Sequence, residues 1–217
     1  MTPSAPLVRA STSREFFEDL YLADPDPWRF TDDVYERGRY DHLLEHVPAG
    51  RYHTAFEPGC SIGVLTRHLA DRCRRVVAID IAGTAIAEAR HACADRPGVE
   101  LTRGELPDDL PVEPLDLVVL SEIGYYFSEP VLVDLARRIR DVIAPGGRVV
   151  AVHWIGTSPD HVLHGREVHR ILHDQLGGLH HRTGAEHRHD SAADPCGERV
   201  DPGAVKGYLL DVWDAPR

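Results

Sequence analysis

Seven residues, Glu57-Pro58-Gly59-Cys60-Ser61-Ile62-Gly63, and one acid further on, Asp80, have types and spacing that could do chemistry. A glycine-bounded turn lets main chain approach a ligand closely. The dinucleotide fingerprint G-x-G-x-x-G uses this to seat a pyrophosphate. Here Ser61 stands where the middle glycine would be, and a carboxylate, Glu57, stands two residues before the first glycine. That carboxylate would repel a pyrophosphate and suit an ammonium group. Asp80 follows about twenty residues later, where an acid accepts hydrogen bonds from ribose hydroxyls.

The elements that must position these groups are legible around them. Ala55 and Phe56 form a short apolar run before Glu57. Val64, Leu65, His68 and Leu69 recur at helical spacing after Gly63. Val76 to Ile79 is a second apolar run ending at Asp80. The pattern predicts strand, loop, helix, strand, a βαβ unit opening a parallel sheet with both acids at strand carboxyl ends. Open sheets bind ligands there. A nucleoside with a cationic amino-acid tail and no phosphate fits such a lining, and S-adenosylmethionine (SAM) is that molecule. On these residues the chain resembles the class I SAM-dependent methyltransferases. The resemblance implies cofactor contacts from Glu57, Gly59, Cys60, Ser61 and Gly63, and from Asp80 with its neighbour Ile81.

Further along, residues 82 to 94 predict a helix, and Val99 to Leu101 a third strand. Glu105 and Leu106 follow it. The resemblance implies that Glu105 meets the adenine amino group and that Leu106 offers its N–H to the ring. Leu115 to Leu120 is a continuous apolar run with one acid, expected to be a central parallel strand. It ends in Ser121-Glu122-Ile123-Gly124-Tyr125-Tyr126, at the end of the sheet where a ligand would lie. Leu132, Leu135, Ile139, Val142 and Ile143 form a helical stripe. Arg148 to Val152 is the expected fifth strand, running into His153-Trp154. Residues 160–176 predict a helix, 179–190 a sixth strand, 191–203 a long exposed loop, and Tyr208 to Trp213 a final antiparallel strand.

The first fifty residues exceed what the sheet needs. Ser13 is the expected cap of a helix with Phe16, Phe17 and Leu20 on its apolar face. Asp26-Pro27-Trp28 and Tyr35-Glu36-Arg37-Gly38-Arg39-Tyr40 resemble the rhizobial nodulation N-methyltransferases (the NodS group), as does Ser-Glu-Ile-Gly-Tyr-Tyr at 121–126. That resemblance implies a lid that closes over the cofactor and contributes Trp28, Arg37 and Tyr40. Arg37, with Arg39 second, is the expected partner of the cofactor carboxylate, and Ser121 joins the cofactor set. It also implies N-methylation of an amino group on a deacetylated sugar or oligosaccharide.

Methyl transfer from a sulfonium is an in-line displacement that needs alignment, exclusion of water and an unprotonated acceptor. An amine must lose its ammonium proton to a nearby base. His153, at a strand end, is the first candidate for that role. Glu122 is the second, and Tyr125 completes the catalytic set. The NodS group's pattern lacks a His-Trp pair after the fifth strand, which separates this chain from it. Histidines crowd the stretch from His153 to His189, but His180, His181, His187 and His189 lack the spacing of a metal site, and no metal is expected.

The 217 residues suffice for one sizeable core. The expectation is an α/β, Rossmann-like class I methyltransferase: a seven-stranded, mostly parallel sheet with helices on both faces. Residues 1–50 would form a helical lid and 51–217 a single globular domain. A net charge of −11 disfavours nucleic acid and anionic membrane as partners. Cys60, Cys73, Cys93 and Cys196 form no CxxC pair, and no signal peptide or membrane span is apparent, which suits a cytoplasmic protein, monomeric or homodimeric, acting on a small molecule. Two other readings stay open, O-methylation of a small metabolite and a non-catalytic SAM-binding scaffold. A nicotinamide oxidoreductase is disfavoured by the missing middle glycine.

Overall fold

The computed structural model describes residues 11–188 and 207–217. The strands β1 (Thr54–Pro58), β2 (Arg75–Asp80), β3 (Val99–Arg103), β4 (Leu115–Ser121), β5 (Ile143–Trp154), β6 (His180–Arg188) and β7 (Gly207–Asp214) form one sheet of order β3-β2-β1-β4-β5-β7-β6. All pairings are parallel except those of β7, which runs antiparallel to both β5 and β6. The seven-stranded, mostly parallel sheet expected from the sequence is present.

Period-2 alternation assigns side chains to two apolar layers. Val118, Leu120, Val149 and Ala151 join one cluster, with α5 (Glu129–Val142) and α6 (Gly165–Gln175) packed on it. Leu117, Val119, Val150 and Val152 join the other, with α2 (Val34–Glu45) and α3 (Val64–Ala70). The two described helices before β1 are divided between these layers. α1 (Arg14–Ala23) contributes Phe17 and Tyr21 to the first cluster, and α2 contributes Leu43 and Leu44 to the second.

Local chemistry sets the helix ends. The Ser13 hydroxyl accepts from the Phe16 N–H, as expected of a cap. α4 (Gly83–Ala92) begins at Ala82, which has no side chain to cap it. Glu18 of α1 supplies the cap from a distance, accepting from the N–H groups of Gly83 (2.7 Å) and Thr84 (3.2 Å) and from the Thr84 hydroxyl (2.5 Å).

Two boundaries differ from expectation. α6 starts at Gly165 rather than residue 160, because His164 and Glu167 form a reciprocal capping box. β5 begins at Ile143, which pairs with Leu115, so the last residue of the expected helical stripe belongs to the sheet. The expected exposed loop 191–203 and the metal-spacing question at His189 lie outside the described residues.

Candidate functional site

A cavity of about 600 Å³ opens at the carboxyl ends of β1, β2 and β4. The strand order reverses at β1/β4, the switch point where open α/β sheets take their ligands. Trp28, Tyr40, Glu57, Gly59, Cys60, Ser61, Asp80, Ile81, Glu105, Leu106, Ser121, Glu122 and Tyr125, all candidates from the sequence, line it together.

The glycine turn is shaped by backbone and neighbours. Gly59 has φ +70°, and a Cβ there would lie 2.7 Å from Ile123 Cδ1. Ser61, also at positive φ, donates its N–H to Asp80 Oδ2 at 2.9 Å. The Ala82 N–H donates to Asp80 Oδ1 at 2.9 Å. Each carboxylate oxygen of Asp80 is thus held by one main-chain donor and retains acceptor capacity for another. Burial raises the Asp80 pKa to about 6. Glu57 is buried, and its Oε2 makes no hydrogen bond among the described residues. Burial, reinforced by Asp80, pushes its pKa up to about 8. A buried carboxylate oxygen without a donor is costly, and a cationic ligand group would relieve it.

These features fit SAM. Glu57 would meet an ammonium, Asp80 would accept from ribose hydroxyls, and Trp28, Leu106 and Ile81 supply apolar surface. The lining includes one basic side chain, Arg14, and it is paired with Glu105 at 2.7 Å. A pyrophosphate would therefore meet carboxylates and no free cation among the described residues.

At another part of the lining, Glu36 and Glu122 flank Arg39. Arg39 is fully buried. It is paired with Glu36, lies 3.2 Å from Glu122 Oε1, and donates to Ser121 Oγ at 3.1 Å. Glu122 sits at φ +56°, uncommon for a residue with a side chain. Its Oε1 accepts from the Trp154 N–H at 2.9 Å and its Oε2 from the Tyr125 hydroxyl at 2.5 Å. The Tyr125 ring stacks on His161, with centroids 3.7 Å apart.

Three candidates are placed elsewhere. Arg37 is exposed and does not line the cavity. On α2 the inward face carries residues 36, 39, 40 and 43, at helical spacing, so Arg39, the second choice, takes the inner position. Gly63 sits at the start of α3, where a Cβ would meet Ala89 at 3.2 Å, so its smallness serves the packing of α3 on α4. His153 is completely buried and outside the cavity lining. Its Nε2 accepts from the Gly124 N–H at 2.9 Å, and its Nδ1 faces His169 Nε2 at 3.1 Å. Neither nitrogen is left to take a proton from a ligand, because the end of β5 turns this side chain under the 121–126 segment.

The sequence reading missed Tyr21, Glu36 and Phe17, which also line the cavity. Tyr21 donates its hydroxyl to Ser61 Oγ at 2.6 Å, tying α1 to the glycine turn. The α2 spacing pointed to Glu36. No local pattern in the sequence points to Tyr21.

The methyltransferase-domain family model matches residues 55–147. Nodulation protein S of Sinorhizobium fredii is 28% identical over 131 residues, 59% of this chain and 61% of the relative. The chain therefore matches about three fifths of that curated relative's length. Among solved structures, N-methyltransferase NodS from Bradyrhizobium japonicum, in complex with S-adenosyl-L-homocysteine, superposes with a TM-score of 0.76 at 23% identity, covering 94% of this chain and 99% of the other. A provisionally assigned methyltransferase from Pseudomonas syringae is 30% identical, with a TM-score of 0.65, covering 84% of this chain and 99% of the other.

Proposed function

We infer, for a chain that belongs to the class I SAM-dependent methyltransferases and resembles the NodS group, that it is an enzyme transferring a methyl group to the amine of a small molecule. Bound SAM would supply a methyl carbon already activated by positive sulfur. The chain supplies the rest. Glu57, Gly59, Cys60, Ser61, Asp80, Ile81, Glu105, Leu106 and Ser121 hold the cofactor, with Trp28 and Tyr40 of the segment before β1 as its cover. Tyr21 and Phe17 of α1 help exclude water.

The observation that carries the amine reading is the acid-rich part of the cavity. Two carboxylates, Glu36 and Glu122, share one buried cation, Arg39. The local balance is one negative charge, which favours a positively charged guest. An amine acceptor would arrive as an ammonium and leave its proton on a carboxylate. Glu122, fixed by Trp154 and Tyr125, orients it. Burial raises the pKa of Glu36, which suits it to accept that proton. The likeness to nodulation protein S supports an amino group on a deacetylated sugar or oligosaccharide.

Methyl transfer from isotopically labelled SAM to glucosamine oligosaccharides, free-amine and N-acetylated forms side by side, tests this reading. Label in the free-amine form alone supports it. Equal label in both forms points to a hydroxyl acceptor and overturns it.

A further inference from the structure

A buried row of polar side chains runs behind the site and takes no part in lining it. The Gly124 N–H donates to His153 Nε2 at 2.9 Å. His153 Nδ1 lies 3.1 Å from His169 Nε2, and His169 Nδ1 lies 2.5 Å from Asp211 Oδ2. Asp211 Oδ1 lies 2.5 Å from His181 Nε2 on the edge strand β6, where the row reaches solvent. Three consecutive residues of β5 grip the segment after β4. The Val152 carbonyl accepts from the Glu122 N–H, His153 accepts from Gly124, and the Trp154 N–H donates to the Glu122 carboxylate.

The two ends of the row dictate where its protons lie. A backbone N–H can only donate, so His153 Nε2 carries no proton and, in the neutral ring, Nδ1 does. That proton points at His169 Nε2, which must accept. The remaining proton of His169 is then on Nδ1, facing the Asp211 carboxylate. Hydrogen bonds from His169 and His181 hold Asp211 below the usual carboxylate range, against the upward pull of burial. Reversing the ring of His153 or His169 would set a donor against the Gly124 N–H or against another donor. Gly124 also has no room for a side chain, since a Cβ there would lie 2.8 Å from His153 Nε2 and 2.4 Å from Val168 Cγ1.

We propose that His153, His169 and Asp211 are positioning residues, a relay with one proton arrangement that fixes the Glu122–Tyr125 turn. The inference stands on the row's geometry and needs no particular acceptor. The groups facing His153 agree with a neutral ring. Burial, then His169 from α6, Arg39 from α2 and His161 from the segment before α6 all oppose its protonation, and the Tyr125 ring packs 5.5 Å away. A proton cannot pass from the row into the site, because it ends on an amide. Its effect is on geometry.

Imidazole nitrogen NMR of the protein with ¹⁵N-labelled histidine tests this without an acceptor. His153 should appear as a single Nδ1–H tautomer from pH 5 to 8, with Gly124 among the slowly exchanging amides. His169→Phe removes the acceptor of the His153 proton. It should mix the His153 tautomers and speed Gly124 exchange by about tenfold or more. His169→Gln keeps an acceptor for His153 and a donor for Asp211, and should restore both signals. An Nε2–H tautomer at His153 in the wild-type protein overturns the proposal. So does folded His169→Phe with unchanged Gly124 exchange, or His169→Gln that behaves like His169→Phe. Should His169→Phe not fold, the wild-type tautomer and the glutamine variant still decide.

Discussion

Arg39 Nη1 lies 3.2 Å from Glu122 Oε1, so α2 and the carboxyl end of β4 are joined by a buried ion pair. The same guanidinium is paired with Glu36 and bonded to Ser121. Arg39 thus fixes the spacing between α2 and the sheet while leaving the local charge negative.

Arg39→Met should cost about 3–5 kcal/mol of stability, since it leaves two largely buried carboxylates without the cation they share. Urea denaturation would measure this. Adding Glu122→Gln should recover part of the loss, giving a coupling of about 0.5–3 kcal/mol in the double-mutant cycle. Strict additivity would mean the pair is not coupled in solution.

Glu57 gives a pH signature. Its pKa moves from 4.5 to about 8 on burial. Between those values the folded protein retains a proton that the unfolded chain has released. Stability therefore falls as pH rises through that window and levels off above it. Glu57→Gln removes the effect. The variant should match wild type near pH 4, melt at a higher temperature than wild type at pH 8.5, and bind S-adenosylhomocysteine more weakly. Melts at the two pH values, with a ligand titration, check all three. Equal melting differences at both would contradict the burial argument.

Gly59→Ala should weaken S-adenosylhomocysteine binding at least tenfold. The site has φ +70°, and left-handed backbone costs a residue with a Cβ roughly 1–2 kcal/mol. The new methyl would also press on Ile123 Cδ1. Pairing it with Ile123→Val should recover the contact penalty but not the backbone one, so calorimetry should show partial rescue. Full rescue would mean that the turn's conformation is unimportant.

Glu18→Ala removes a cap that α4 cannot supply itself. A loss of about 0.5–2 kcal/mol is expected, together with faster proteolysis near α1, because the same carboxylate ties α1 down. Limited proteolysis with and without S-adenosylhomocysteine would show it. An unchanged cleavage rate would mean that the other contacts of α1, those of Arg14, Phe17 and Tyr21 among them, suffice to hold it.

The sequence carried the sheet well, and it also placed Glu57, the glycine turn and Asp80 on one cavity. Glu57, the glycine turn and Asp80 are set by local order, since each lies at the end of an apolar run and must reach the same edge. The inner face of α2 could have been read from spacing and was misjudged: Glu36, Tyr40 and Leu43 put Arg39 inside, whereas Arg37, the first choice, is exposed. His153 was harder. A residue at the end of a strand can point into the cleft or beneath it, and the choice depends on His169 and Gly124, which no local pattern connects to it. Tyr21 is a similar case, because its partner Ser61 is distant in the chain.

Calorimetric titration of the wild-type protein with S-adenosylhomocysteine and, separately, with NAD tests the central claim most directly. Saturable binding of S-adenosylhomocysteine at one site per chain, weakened by about 1–3 kcal/mol in Asp80→Ala, with no binding of NAD, is the predicted result. Binding of NAD without S-adenosylhomocysteine would contradict the account.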